Sequence, residues 1–487
     1  MKNPDITKNL TLAFFIAFFC FFEAVSQVAP PSPVGPIPDE NQMAWHEMEL
    51  NAFIHFSINT FTDKEWGFGD ESPKLFNPTQ LDTEQWVRVL KETGFKGVIL
   101  TVKHHDGFSL WPTKYSDHSI ESSPYKNGNG DIVRELSDAC EKYGLKFGIY
   151  LSPWDRNHPE YGQPEYITYY RNQLTELFTN YGDVFEMWFD GANGGDGYYG
   201  GANEIRTIDK KRYYDWPTTL AHVSDMQPDV LFFSDAGPDL RWAGNENGVG
   251  GKTNWNTITP DTIYAGKPGI GGLLNTGSIN GTDWIPAEVN TSIRPGWFYH
   301  EKEDSLVKTP EELLDTYLTS VGRGSTLLLN IPPDQRGLFH ENDVQALKDW
   351  RALLDQEFDK NLAVNAQVTA NTFRGSDSRF SPGNVTDNDP ETYWATDDDI
   401  HTGTLELDLG SPQKVKYIVL QEYIELGQRV KAFEIEIWDG KSWNKAAAET
   451  TIGYKRILEI GPVQAEKIRV KIIESKAAPI ISNIEVY

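Results

Sequence analysis

At 487 residues the chain exceeds one ordinary core and predicts two or three domains. A formal charge of −27 and a pI near 4.8 set up a field that repels polyanions, which excludes nucleic acid and an anionic membrane surface as partners and favours a neutral substrate. Fifteen Trp and 21 Tyr supply flat apolar faces with polar edges of the kind that pack on sugar rings, although most such residues serve as core.

The chain opens with Lys2 and Lys8, an apolar run over residues 10–22, and the small residues Ala24 and Ser26 before Gln27. Residues 1–26 therefore read as a signal peptide, and the mature protein as exported to the periplasm or beyond. The run is about half of the ~20 apolar residues a bilayer span needs, so no stable membrane insertion is expected. Cys20 follows the bulky Phe19, which disfavours lipid anchoring there. Once the leader is removed, Cys140 is the sole cysteine and no internal disulfide can form; it sits in a helical pattern, where a buried structural thiol is the simpler reading. Residues 27–38 are Pro-rich and read as a linker.

From residue 39, strand-like runs at 52–58, 97–102, 146–151, 185–189, 230–234, 296–299 and 325–330 alternate with helical patterns at 82–93, 131–143, 164–181 and 310–321. A final helix at 341–357 closes the unit. Such alternation predicts an α/β fold with a mainly parallel sheet. His55, His104, Trp154, Asp190 and Asp235 all fall at or just beyond the carboxyl end of a separate strand, the arrangement by which a TIM-like (β/α)8 barrel assembles its active face. A doubly wound sheet would gather ligand at one switch point, and no glycine-rich nucleotide loop follows the first strand. The Gly-, Asn- and Tyr-rich text between Gly191 and Asn256 predicts an irregular second half. Residues 39–358 are thus expected to form the barrel, and residues 363–487, with alternating runs at 404–409, 415–420, 432–438 and 467–473, an all-β jelly-roll sandwich.

Within the barrel, Met187-Trp188-Phe189-Asp190-Gly191 is an apolar strand ending in a carboxylate, with a glycine that permits a sharp turn. An Asp in that place faces a cavity or caps the next helix. The segment Lys103-His104-His105-Asp106-Gly107-Phe108-Ser109-Leu110-Trp111 follows another strand; both imidazoles reach one ligand only if the strand has begun to turn there. No Cys pair or helix-borne His pair accompanies them, so hydrogen bonding to sugar hydroxyls is a better fit than metal ligation.

Taken together, residues 42–45, Phe53-Ile54-His55-Phe56, Glu65-Trp66-Gly67, residues 103–111, residues 188–191 and residues 325–333 resemble, in order and setting, the α-L-fucosidases of glycoside hydrolase family 29. The resemblance spans most of residues 39–358. It implies a retaining double displacement without cofactor, in which Asp190 attacks the anomeric carbon and a second carboxyl group protonates the leaving oxygen. The loop Arg241-Trp242-Ala243-Gly244-Asn245-Glu246 resembles the motif of the branch that prefers α-1,3 and α-1,4 linkages, which makes Glu246 the candidate acid/base, with Asp235 and Asp239 as alternatives. A retaining pair stands roughly 5 to 5.5 Å apart. By the same matching, His55, Glu65, Trp66, His104 and His105 resemble contacts to fucose hydroxyls, and Trp188 lines the subsite. Arg294 would order the acid region or simply form a salt bridge; Trp297 would face the sugar or lie in the core. The substrate implied is a fucosylated oligosaccharide or glycoprotein glycan of Lewis type, with a broad-specificity fucosidase or a non-catalytic glycan-binding protein as rival readings.

Residues 363–487 resemble the discoidin, or coagulation factor 5/8 C-type, modules through residues 383–394 and Leu405-Glu406-Leu407-Asp408-Leu409-Gly410. That resemblance implies sugar binding and allows a structural calcium at Asp387 and Asp389; an Asx-turn is the alternative use of those carboxylates.

Overall fold

A computed structural model describes residues 28–190, 197–199 and 202–487; the expected leader, Cys20 and the turn at Gly191 lie outside them. Eight parallel strands close into a barrel: β1 (Leu50–Ile54), β2 (Gly97–Lys103), β3 (Lys146–Leu151), β4 (Glu186–Trp188), β5 (Leu231–Ser234), β6 (Leu240–Trp242), β7 (Ala287–Ser292) and β8 (Thr326–Asn330). Each pairs with its sequence neighbours, and β8 pairs with β1 to complete the ring.

Strand alternation divides the apolar side chains into two layers. The helix α1 (Glu40–Met48) gives Trp45 to the inner layer, whereas Ala52, Ile54, Val98, Leu100, Val102, Phe147, Ile149 and Leu151 point outward into the main core, against helices that include α2 (Thr83–Glu92), α3 (Ile132–Tyr143), α4 (Pro164–Asn180), α5 (Trp216–Ser224), α6 (Pro310–Ser320) and α7 (Glu341–Glu357). Phe53, Ile99, Tyr150, Trp188, Phe233, Leu240 and Leu328 fill the barrel interior. Asp82 and Asp131 cap α2 and α3 with their carboxylates, which fixes where these helices begin. Cys140 is buried on α3, where burial pushes its thiol up to about 12 and keeps it inert.

Three expectations need correction. The run at 296–299 is a loop; the seventh strand is Ala287–Ser292, whose alternate residues Glu288 and Asn290 are polar and accept hydrogen bonds from the Trp188 and Trp242 indoles, so no apolar alternation marks it. The first strand stops at Ile54, and Ser57 caps a short helix where strand was expected to continue. The three-residue β6 was not foreseen: only five residues separate it from β5, too few for a crossover helix. Within the Pro-rich segment, Val34 N–H donates to the Leu426 carbonyl at 3.0 Å and the Ser32 carbonyl accepts from Arg429 at 2.8 Å.

The C-terminal sandwich is antiparallel: β9 (Gln367–Ala370), β10 (Trp394–Ala395), β11 (Gly403–Glu422), β12 (Val430–Trp438), β13 (Trp443–Glu449), β14 (Arg456–Ser475) and β15 (Ile480–Val486). The two predicted runs at 404–409 and 415–420 are halves of β11, whose pairing register with β14 breaks between Asp408 and Gln413. Its core is Leu405, Leu407, Ile418, Phe433, Ile435, Val470 and their neighbours. Tyr417, Val419 and Ile457 turn the other way and pack on Tyr317, Leu318 and Phe358 of the barrel unit. Among the described residues, no helix is long and apolar enough to cross a membrane.

Candidate active site

The five side chains placed by sequence at strand ends do converge above the carboxyl ends of β1 to β5. Asp190 stands two residues past β4 with a fifth of its side chain exposed. Its Oδ2 accepts from the Tyr150 hydroxyl at 3.0 Å and lies 3.4 Å from His105 Nε2. Burial, with Asp190 next, holds the Tyr150 phenol well above its usual pKa, so it remains a donor. Trp188, two residues earlier on the same inward face, is buried below: it stacks on Phe233 with centroids 4.1 Å apart, lies 5.4 Å from the Tyr150 ring, and donates to Glu288 at 2.9 Å. It lies beneath the opening, 6% exposed.

The chain turns immediately after β2, with Gly107 N–H donating to the His104 carbonyl, so adjacent imidazoles share one side with centroids 3.9 Å apart. Gly107 makes this possible: its φ is +79°, and a Cβ there would meet Asp155 Oδ1 at 2.4 Å. His105 Nδ1 faces Ser152 Oγ at 2.7 Å while that hydroxyl is placed to donate to the Trp154 carbonyl at 2.6 Å. Burial drives His104 well below its ordinary pKa, and its Nδ1 is buried without a partner. His55 is likewise neutral, lowered to about 3 by burial.

Asn330 decides which nitrogen of His55 is free. Its amide nitrogen donates to Ser292 Oγ at 2.9 Å and to the Trp297 carbonyl at 2.8 Å, so its oxygen is the acceptor facing His55 Nδ1 at 2.8 Å. His55 therefore carries its proton on Nδ1 and presents Nε2 as an acceptor suited to a hydroxyl.

Glu65 is a brace. Its carboxylate accepts from the backbone N–H of Trp297 at 2.9 Å and of Phe298 at 3.2 Å, and pairs with His300 Nε2 at 2.7 Å. Trp66 beside it is 54% exposed, its ring edge-on to His105 and Trp154. Trp297 lies against His55 with centroids 5.1 Å apart, and Phe298 stands edge-on to both His55 and His104. Arg294 is fully buried and does not reach the opening: it pairs with Asp343 at 2.9 Å and Asp304 at 2.9 Å and covers the Tyr299 ring, holding the loop that carries Trp297.

Glu246 stands on an exposed loop beyond β6. Partial burial of its carboxyl raises its pKa, the Trp297 indole opposes this, and the charges of Asp190 and Glu65 reinforce it. Asp235, just past β5, is 8% exposed and accepts from Gly266 N–H at 2.9 Å; burial, then Asp190, pushes it up to about 7. Asp239 leaves the contest: it sits at the start of β6, accepts from Phe232 N–H at 2.8 Å, and its carbonyl accepts from Gln42 of α1, below the barrel.

Sequence reading missed Tyr150, Ser152 and Asn330 as site residues. Alternation along β3, with Phe147, Ile149 and Leu151 outward, would have turned Tyr150 inward; nothing local marks Ser152. Among the described residues no group of three or more His, Cys, Asp or Glu is arranged to hold a metal ion. In the sandwich, Asp387 accepts from Asp389 N–H and the Thr392 hydroxyl, and Asp389 from Glu391 N–H, so these carboxylates close Asx-type turns.

A closed parallel barrel whose carboxyl-end rim gathers acids, neutral histidines and exposed tryptophan defines a glycoside hydrolase. The family model for alpha-L-fucosidase matches residues 31–357, and that for the F5/8 type C domain residues 367–486. Alpha-L-fucosidase 1 of Arabidopsis thaliana is 37% identical over 99% of this chain and 94% of its own. Among solved structures, SpGH29 superposes with a TM-score of 0.87 at 40% identity, covering 94% of this chain and 99% of its own. A Ruminococcus gnavus GH29 fucosidase in complex with fucose superposes at 0.85 with 33% identity, over 95% and 97%. The chain belongs to the alpha-L-fucosidases of glycoside hydrolase family 29 and carries a C-terminal F5/8 type C domain. The non-catalytic alternative is thereby set aside.

Proposed function

We propose that the enzyme is a retaining exo-fucosidase that removes terminal α-L-fucose from α-1,3 or α-1,4 linkages of Lewis-type glycans outside the cytoplasm, after loss of residues 1–26. Residues 39–358 carry the chemistry. Asp190 attacks the anomeric carbon as the glycosidic bond breaks, Glu246 gives its proton to the leaving oxygen, and the resulting Glu246 carboxylate then takes a proton from the water that opens the ester. The observation that carries this reading is the place of Asp190 at the carboxyl end of β4, with Tyr150 donating to its Oδ2 at 3.0 Å among the clustered rings of His55, His104 and His105. A raised Glu246 pKa suits an acid that must be protonated before turnover. His55 Nε2, His104, His105, Glu65 and Trp66 contact fucose hydroxyls, and Trp297 stands at its apolar side.

Asp235 is the competing acid, favoured by its rise to about 7. Glu246→Ala separates them: hydrolysis of substrates with poor leaving groups falls most if Glu246 is the acid, and a small uniform effect transfers the role to Asp235. A 2-fluoro-fucosyl inactivator should label the peptide containing Asp190; a label elsewhere defeats the nucleophile assignment. Faster release from a Lewis trisaccharide than from a simple aryl fucoside supports the linkage preference, and equal rates favour a broad-specificity enzyme.

A further inference from the structure

The returning end of the loop that carries Glu246 is fastened from outside the barrel. The loop leaves β6 after Arg241 and Trp242 and returns through residues 252–256. Arg241 is fully buried and ties the two ends together: its guanidinium donates to Asn254 Oδ1 at 3.1 Å and to the Trp255 carbonyl at 2.9 Å, and its Nε to the Leu274 carbonyl at 2.8 Å. The returning segment rests on the sandwich. Gln428, 2% exposed, accepts from Asn256 N–H at 2.8 Å through Oε1 and donates from Nε2 to the Asn254 carbonyl at 2.8 Å, as a neighbouring strand would. Beside it Thr451 Oγ1 accepts from Asn254 N–H at 2.9 Å, and Arg456 donates to the Lys252 carbonyl at 2.8 Å. Gln428 is itself fixed, because the buried Glu422 carboxylate gathers the N–H groups of Arg429, Val430 and Gly453 at 2.7, 2.8 and 2.7 Å.

We propose that Gln428 of the C-terminal sandwich is a positioning residue for the acid-bearing loop, so that the sandwich is a working part of the active site through its bidentate hold on Asn254 and Asn256. This rests on Glu246 being the acid. A few tenths of an ångström of drift in residues 254–256 passes through Arg241 to the start of the loop, and a proton donor is sensitive to displacement on that scale. The sandwich thus has a use beyond any ligand of its own.

The test compares two substrates on the full-length enzyme. An aryl fucoside with a strongly acidic phenol needs no proton in its first step, whereas a fucosylated oligosaccharide does. Gln428→Met should lower kcat/KM for the oligosaccharide about tenfold, leave the activated aryl fucoside within about twofold, and move the alkaline limb of the oligosaccharide pH profile. Equal loss on both substrates, or on neither, overturns the proposal. Thr451→Val removes the adjacent hold and should give the same split in smaller measure, which keeps the question open to measurement if Gln428→Met folds poorly. Glu246→Gln run alongside distinguishes the two failures: if it splits the substrates and both loop variants do not, Gln428 has no positioning role; if it does not split them, the acid assignment falls and this inference falls with it.

Discussion

The Tyr150 hydroxyl donates to Asp190 Oδ2 at 3.0 Å, from the strand next to the one that carries the acid. One oxygen of the carboxylate is thereby fixed.

Tyr150→Phe should therefore reduce kcat about ten- to hundredfold, since a hydrogen bond to a charged group is worth about 1.5–3 kcal/mol. The ring packing on Trp188 survives, so the thermal midpoint should hardly move. Rates within twofold of wild type would mean that Asp190 is oriented by other neighbours.

Asn330→Ala should free the His55 tautomer and loosen Trp297 together, because one amide holds both. We expect weaker fucose inhibition, by about tenfold, with a stability loss of about 1–3 kcal/mol for the donor left unmatched. Fucose inhibition constants and urea unfolding measure the two effects separately; unchanged inhibition would remove His55 from the list of ligand contacts.

Arg294→Met should cost about 3–5 kcal/mol, as Asp343 is left buried without its cation. Because burial already raises Asp343 to about 6 with the arginine present, the loss should be greater at pH 8 than at pH 5.5. The double variant Arg294→Met with Asp343→Leu should recover most of the stability, and no recovery would point to the lost Asp304 contact instead.

Above pH 6.5 the wild-type protein should lose stability as pH rises. Asp106, Asp235 and Glu422 are raised to about 7 and Glu288 to about 8, chiefly by burial. In an unfolded chain these acids are already ionised, so the folded state binds more protons in that window and stability falls through pH 7 to 8. His46 and His55, lowered to about 3 by burial, are neutral in both states there and contribute only below 6.5, with the opposite sign. A thermal midpoint that rises between pH 6.5 and 8.5 would contradict these shifts.

Much of this molecule was legible before folding. Strand ends at His55, His104, Trp154, Asp190 and Asp235 were readable because each lies where an apolar run stops, and such runs are dictated by burial on both sides of a barrel sheet. The seventh strand was not, because its inward residues are polar and find their partners on β4 and β6. The buried ion pairs of Arg294, which the sequence left open, and the bracing contacts of Glu65 were not legible for a related reason: a charged side chain looks the same in sequence whether it faces ligand or braces a loop.

The sequence by itself determined the family, the barrel and sandwich, and the acids available for chemistry, since hydrophobic periodicity and motif order are local properties of the text. Only the tertiary structure decided how one oxygen of Asp190 is held, which nitrogen of His55 is free, and that a glutamine of the sandwich holds the segment that ends the loop of Glu246. Those facts depend on side chains separated by up to 275 positions, whose mutual distance and burial no local pattern encodes.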